Sequence, residues 1–208
     1  MPVVVCFGDS NTWGYDAVTS GRFGPSVRWT GVLQSELGSN YTIIEEGLNG
    51  RTTNVDDPVD EDRNGRTHLP SRLETHAPFD LIVIMLGTND TRKRLQRSAS
   101  DIAQSAALLG RTAARSVRGP NGSAPKVLLV APPPMQVLPG WDEMLEGAAE
   151  KSSAFGERYA WFADRYGLEF FDAGAVVTSS PVDGIHFDEA NHGRLGKALA
   201  QKVREILT

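Results

Sequence analysis

The 208-residue chain holds a single cysteine, so no intramolecular disulfide can form. Cys6 sits among Val3, Val4, Val5 and Phe7, the setting of a buried small hydrophobe. No apolar run approaches the roughly 18 residues of a membrane-spanning helix. The N-terminus lacks the basic segment, long apolar region and cleavage site of a leader, so a soluble cytoplasmic protein is expected. The net charge of −5 comes with no long basic stretch and no nucleic-acid motif. Its densest basic spot, Arg92-Lys93-Arg94 with Arg97 nearby, is expected to be a solvated helix entrance. His68, His76 and His192 with one cysteine make no persuasive zinc set. The acidic residues from Asp56 to Asp62 lack EF-hand spacing, and a solvated loop is expected there. No metal or organic cofactor is expected, and there is no internal repeat or interdomain linker.

What is present is globular: 40 % apolar and 23 % charged residues, enough for one domain over residues 1–208. Apolar runs alternate with stretches of helical period, the pattern of a parallel sheet covered on both faces. Strands are predicted at Val3 to Phe7, Tyr41 to Glu45, Leu81 to Leu86, Val127 to Ala131 and Leu168 to Phe171. A helix is predicted over Val27 to Leu37, with Trp29, Leu33 and Leu37 on one face. A second is marked by Ile102, Ala106, Leu109, Ala113 and Val117, and ended by the turn-rich Gly119 to Pro125. A third fills much of Glu143 to Tyr166 with Phe155, Tyr159 and Phe162 inward. The last carries Leu195, Leu199, Val203 and Ile206 and is capped by Asp188. This is an α/β class chain, a three-layer α/β/α sandwich on a five-stranded, mainly parallel sheet. Insertions at about 50–70 and 131–142 leave the C-terminal side of strands, where such sheets bind ligands.

Three distant fragments carry chemistry. FGDSNTWG (residues 7–14) displays Ser10 just past a strand, with Gly8 and Gly14 permitting the tight turn. DGIH (183–186) supplies His186 as a base and Asp183 as the carboxylate that fixes its tautomer. LGTND (86–90) supplies Asn89, whose amide can donate to an oxyanion. Gly50 and Ser10 offer backbone N–H groups for the same purpose. Taken alone, Ser10 would cap a turn, the DxxH segment would be a surface pair and Asn89 would brace a loop. Together they read as the nucleophile, base and donors of a serine esterase. Asp9 and Asp90 are expected to cap or brace.

With these blocks and EGLNG (46–50), the chain resembles the SGNH hydrolases, also called the GDSL esterase/lipase family. The resemblance covers essentially the whole chain and implies their flavodoxin-like fold. It implies a catalytic triad of Ser10, Asp183 and His186 and an oxyanion hole of Ser10, Gly50 and Asn89. Asn11 stands where the GDSL name has leucine. More narrowly, CFGDSNTWG, RWTGVLQSEL, EEGLNGRTTN and IMLGTNDT resemble the bacterial arylesterase and acyltransferase branch and neighbouring carbohydrate acetylesterases. That branch implies small acyl groups, activated aryl esters, transfer to alcohols or hydrogen peroxide in some members and compact oligomers in some, so a homo-oligomer is expected. Gly50 stands where the acyltransferase subgroup can carry alanine.

Trp13, Tyr15, Arg51 and Trp141 are candidate substrate-binding residues. For Trp141 the alternatives are an aryl pocket and an oligomer contact; for Arg51, a polar-substrate guide and a structural salt bridge. Trp29 is either core or aperture. The expected function is hydrolysis of short-chain acyl or aryl esters through an acyl-enzyme, with a small-molecule ester as partner and neither nucleic acid nor membrane. The alternatives are a carbohydrate acetylesterase and a non-catalytic carbohydrate-binding protein.

Overall fold

Alternating side chains of the central strands divide between two cores, and that division creates the layers. The computed structural model describes residues 1–208. The sheet comprises β1 (Val3–Gly8), β4 (Thr42–Gly47), β5 (Leu81–Met85), β6 (Lys126–Ala131) and β7 (Glu169–Asp172), in the order β4-β1-β5-β6-β7. All four pairings are parallel. Val5, Phe7, Ile82, Ile84, Val127 and Leu129 point into one core with α3 (Gly65–Thr75), α4 (Ala99–Ala114) and α6 (Phe155–Tyr166). Their neighbours Val4, Cys6, Leu81, Val83, Leu128 and Val130 point into the other, against α2 (Trp29–Leu37) and α7 (Glu189–Leu207). The period of two places adjacent residues on opposite faces, and each large apolar side chain so buried contributes about 1.5–3 kcal/mol. Cys6 and Trp29 both lie in the second core, so Trp29 is packing and not aperture.

The five expected strands form, with ends displaced by one or two residues. Asp188 caps α7 by accepting from the Asn191 N–H at 2.8 Å. Three expectations need correction. Residues 50–70 are not loop throughout, because α3 begins at Gly65. Its signal was faint: only Leu69 and Leu73 are buried apolar positions, and Pro70 lies inside the helix. The stretch from Glu143 to Tyr166 divides into α5 (Ala148–Ser153) and α6, preceded by Gly147 at φ 75°. Finally, α4 ends at Ala114, which leaves Val117 69 % exposed. A short hairpin of β2 (Tyr15–Asp16) and β3 (Gly21–Arg22) was not foreseen. No helix is long and apolar enough to cross a membrane.

Candidate active site

Ser10 opens α1 (Ser10–Trp13), a single turn at the C-terminal edge of β1. Asp9 caps it by accepting from the Asn11 N–H at 3.0 Å. Gly8 is required by packing: a Cβ there would lie 2.1 Å from Thr12 Oγ1 and 2.9 Å from the Met85 carbonyl oxygen. The strand can therefore turn directly into the helix, and Ser10 faces the crevice beyond the sheet's carboxyl edge.

His186 comes to the same place from the loop before α7. Gly184, at φ 73°, lets residues 183–186 curl so that one carboxylate serves three donors. Asp183 Oδ1 accepts from the N–H groups of Ile185 and His186, both at 2.9 Å, and Oδ2 accepts from His186 Nδ1 at 2.5 Å. An ionised carboxylate only accepts, so Nδ1 carries the proton and Nε2 is free to accept. Ser10 Oγ lies 2.9 Å from Nε2. Burial raises the Asp183 pKa, but hydrogen bonds from the His186 ring and the two N–H groups outweigh it and hold the carboxyl below its ordinary value. The Tyr15 ring packs against the imidazole, with centroids 4.4 Å apart and the planes tilted by 41°.

Asn11 matters more than the sequence suggested. Its Oδ1 accepts from the Phe187 N–H at 3.1 Å, while its Nδ2 donates to the Ile185 carbonyl at 3.4 Å. The residue next to the nucleophile thus clasps the chain on both sides of the base. No local pattern could have revealed a contact spanning more than 170 residues.

The donors lie on the opposite lip. Asn89 Nδ2 donates one hydrogen to the Arg51 carbonyl at 3.1 Å, leaving its second for the cleft. Gly50 lines the same cleft with its N–H unused by any protein acceptor. The Ser10 N–H, in the first turn of a helix, has no intrahelical partner. Behind these donors, the Thr53 N–H and Oγ1 both donate to the buried Asp90, the hydroxyl at 2.5 Å. Burial pushes Asp90 up to about 7 against the effect of those bonds, and pushes Asp9 up to about 6. Asp9 and Asp90 therefore cap and brace, as expected.

Two of the four substrate-binding candidates are not brought into the cleft. Arg51 is 2 % exposed and lies outside the cleft lining. Its Nη1 donates to the Gly8 carbonyl at 2.8 Å and to that of Glu46, and its guanidinium lies 4.1 Å from the Phe7 ring centre. It ties the glycine block to β1, through carbonyls and not a salt bridge. Trp13 is also absent from the cleft lining; its ring lies 4.9 Å under the Arg22 guanidinium. Tyr15 and Trp141 do line the cleft, which encloses about 300 Å³. Met135, Met144, Leu145 and Ile185 complete an apolar wall with Trp141.

The same cleft is also lined by Asp60, Arg63 and Arg92, from segments expected to be solvated. That expectation holds for Asp56, Glu61, Asp62 and Lys93, which are exposed, and fails for Asp57, Asp60, Arg92 and Arg94, which pair across the two runs. The Asp57 side chain is wholly buried and accepts from Arg94 Nε at 2.8 Å, Arg94 Nη2 at 2.7 Å and Arg92 Nη1 at 2.7 Å. Arg92 also reaches Asp60 at 2.7 Å. Burial acts to raise the Asp57 pKa, yet the two guanidinium groups hold it far below the usual carboxylate range. The remaining histidines are dispersed. His76 pairs with Glu46 at 2.6 Å, and His192 accepts from the Trp29 N–H at 3.2 Å, neutral because burial lowers its pKa to about 4.

Residues 6–194 match the sequence profile of the GDSL-like lipase/acylhydrolase family. The chain belongs to that family. As a family member it is a carboxylic ester hydrolase. The acylhydrolase superposes on the native aryl esterase of M. smegmatis with a TM-score of 0.94 and 46% identity, over 99% of this chain and 100% of that one. Against a carbohydrate acetylesterase from Sinorhizobium meliloti the TM-score is 0.94 and the identity 42%, over 99% and 100% of the two chains. An acetylxylan esterase of Xylanibacter ruminicola is 25% identical over 97% of this acylhydrolase, which spans only 43% of that protein's length.

Proposed function

We propose that this acylhydrolase cleaves short-chain esters, aryl acetates and acetylated carbohydrates among them, through an acyl group carried on Ser10. The observation behind the reading is an unbroken hydrogen-bond path from Ser10 Oγ to His186 Nε2, at 2.9 Å, and from Nδ1 to Asp183, at 2.5 Å. In the first half-reaction Oγ bonds to the ester carbonyl carbon as its proton passes to Nε2. The oxyanion takes hydrogen bonds from the Ser10 and Gly50 N–H groups and the Asn89 amide. Collapse expels the alcohol, which receives the proton from Nε2. Water then repeats the sequence on the acyl-serine and releases the acid. An alcohol in place of water gives a new ester, so transfer needs no further machinery.

Similarity to both an aryl esterase and a carbohydrate acetylesterase supports the two substrate types together. Acetate release from an aryl acetate and from an acetylated xylan oligomer, measured side by side, ranks them. Rapid-quench mass spectrometry during aryl acetate turnover should find one acetyl group on the peptide bearing Ser10 and none in Ser10→Ala. Turnover without that adduct would overturn the mechanism. Sugar binding with neither turnover nor adduct would favour a carbohydrate-binding module. We extend the proposal to a homo-oligomer, for which light scattering should give a mass above that of one 22.5 kDa chain.

A further inference from the structure

Apart from Arg63, the charged groups of the cleft are matched. Arg92 and Arg94 are paired with Asp57 and Asp60, and His186 with Asp183. Arg63 forms no ion pair; its guanidinium makes one hydrogen bond, from Nη1 to the Asp62 carbonyl at 3.1 Å. The side chain is placed, not loose. The Arg63 carbonyl accepts from the Thr52 N–H at 2.9 Å and from Thr52 Oγ1 at 3.3 Å, which pins its backbone beside the glycine block. Its stem runs over Gly50: a Cβ built on that glycine would lie 3.5 Å from Arg63 Cδ and 3.7 Å from Nε. A half-buried cation therefore stands beside Gly50, in the cleft that Met135, Trp141 and Leu145 also line.

We propose that Arg63 is a specificity-determining residue that selects esters bearing a carboxylate. The inference rests on the esterase reading above and deepens it by naming a substrate class. An apolar body against Trp141 and Leu145 with an anionic end toward Arg63 would use both walls at once. A guanidinium meets a carboxylate with two parallel hydrogen bonds, stronger than those it makes to water or a neutral hydroxyl. The carboxylate belongs to either the alcohol half or the acyl half of the ester, and the two are separable.

The test compares kcat/KM for two matched pairs of probes. The first is 4-acetoxybenzoate against its neutral amide, with the charge on the leaving side. The second is phenyl hydrogen adipate against phenyl hexanoate, with the charge on the acyl side. In Arg63→Gln the anionic-to-neutral ratio should fall roughly tenfold for at least one pair, through KM, while Arg63→Lys keeps most of it. The pair that responds identifies the half that Arg63 reads. In the parent, that ratio should also decline between about 20 mM and about 0.5 M salt. A ratio unmoved by Arg63→Gln in both pairs would overturn the proposal. Should that variant not fold, a parent ratio indifferent to salt would do the same. If the parent forms no Ser10 adduct with the neutral probes, the esterase reading fails instead.

Discussion

The two walls of the cleft that holds Ser10 are built in different ways. On the donor side, residues 47–53 and 86–91 are tied together by buried polar contacts: Arg51 to Gly8 and Glu46, Asn89 to the Arg51 carbonyl, and Thr53 to Asp90. On the other side, residues 132–147 contain no helix or strand. That wall has a small core of Met135, Leu145 and Ala148, with anchors such as Met135 N–H to Ser152 Oγ at 2.8 Å and Lys93 N–H to the Met144 carbonyl at 2.9 Å. Trp141 at its tip is 42 % exposed. The braced side holds groups that must meet a developing charge to within a fraction of an ångström. The other side meets only the shape of the ester, and a segment with fewer ties can accept several shapes.

Perturbing each side should therefore give different signatures. The largest losses belong to the reacting groups: Ser10→Ala or His186→Ala should lower kcat for an aryl acetate by about 10⁴-fold or more. Next comes the donor wall, where Asn89→Ala should cost about 10²–10³-fold in kcat with little change in KM. The brace beneath the charged rim is next. Asp57→Ala leaves two partly buried arginines without their shared acceptor and should destabilise the fold by about 3 kcal/mol, measured by urea unfolding.

A smaller effect concerns pH. Asp90, raised to about 7, keeps a proton in the native state that the unfolded chain has already released above its ordinary value of 3.8. Its contribution to stability is thus greatest at the acid end of that window and falls as pH rises toward about 7. Asp90→Asn, close in shape to the protonated acid, does not titrate. The parent's Tm minus that of the variant should drop by a few degrees between about pH 5 and about pH 7.5. An unchanged difference would remove the buried carboxyl from the account. The smallest effect is expected at the wall tip: Trp141→Ala should change KM for bulky aryl esters by less than about tenfold and leave kcat for acetate esters near the parent value. If it instead matched Asn89→Ala in kcat, the contrast between the walls would collapse.

Much of this was legible along the chain. Val3 to Phe7 and Leu81 to Leu86 announce buried parallel strands by being apolar on both faces, and the layered sheet follows. Ser10, Asn89, Asp183 and His186 stand out because activated acyl transfer needs those residue types beside glycine-rich turns. Other features gave no such signal. Leu69 and Leu73 are too few to mark α3 with a proline between them. Arg51 looked available to substrate because nothing in its neighbours says that its guanidinium ends on the carbonyls of Gly8 and Glu46.

Local pattern alone therefore determined the layers and the inventory of reactive groups, since periodicity and turn chemistry act over a few residues. Only the folded chain decided which charges are spent and which remain free. Asp56 to Asp62 and Arg92 to Arg94 each look like solvent-facing runs, yet Asp57 lies buried between Arg92 and Arg94 while Arg63 is left unpaired in the cleft. Ion pairing falls off with distance in space, and loop crossings set that distance over intervals that no sequence period spans.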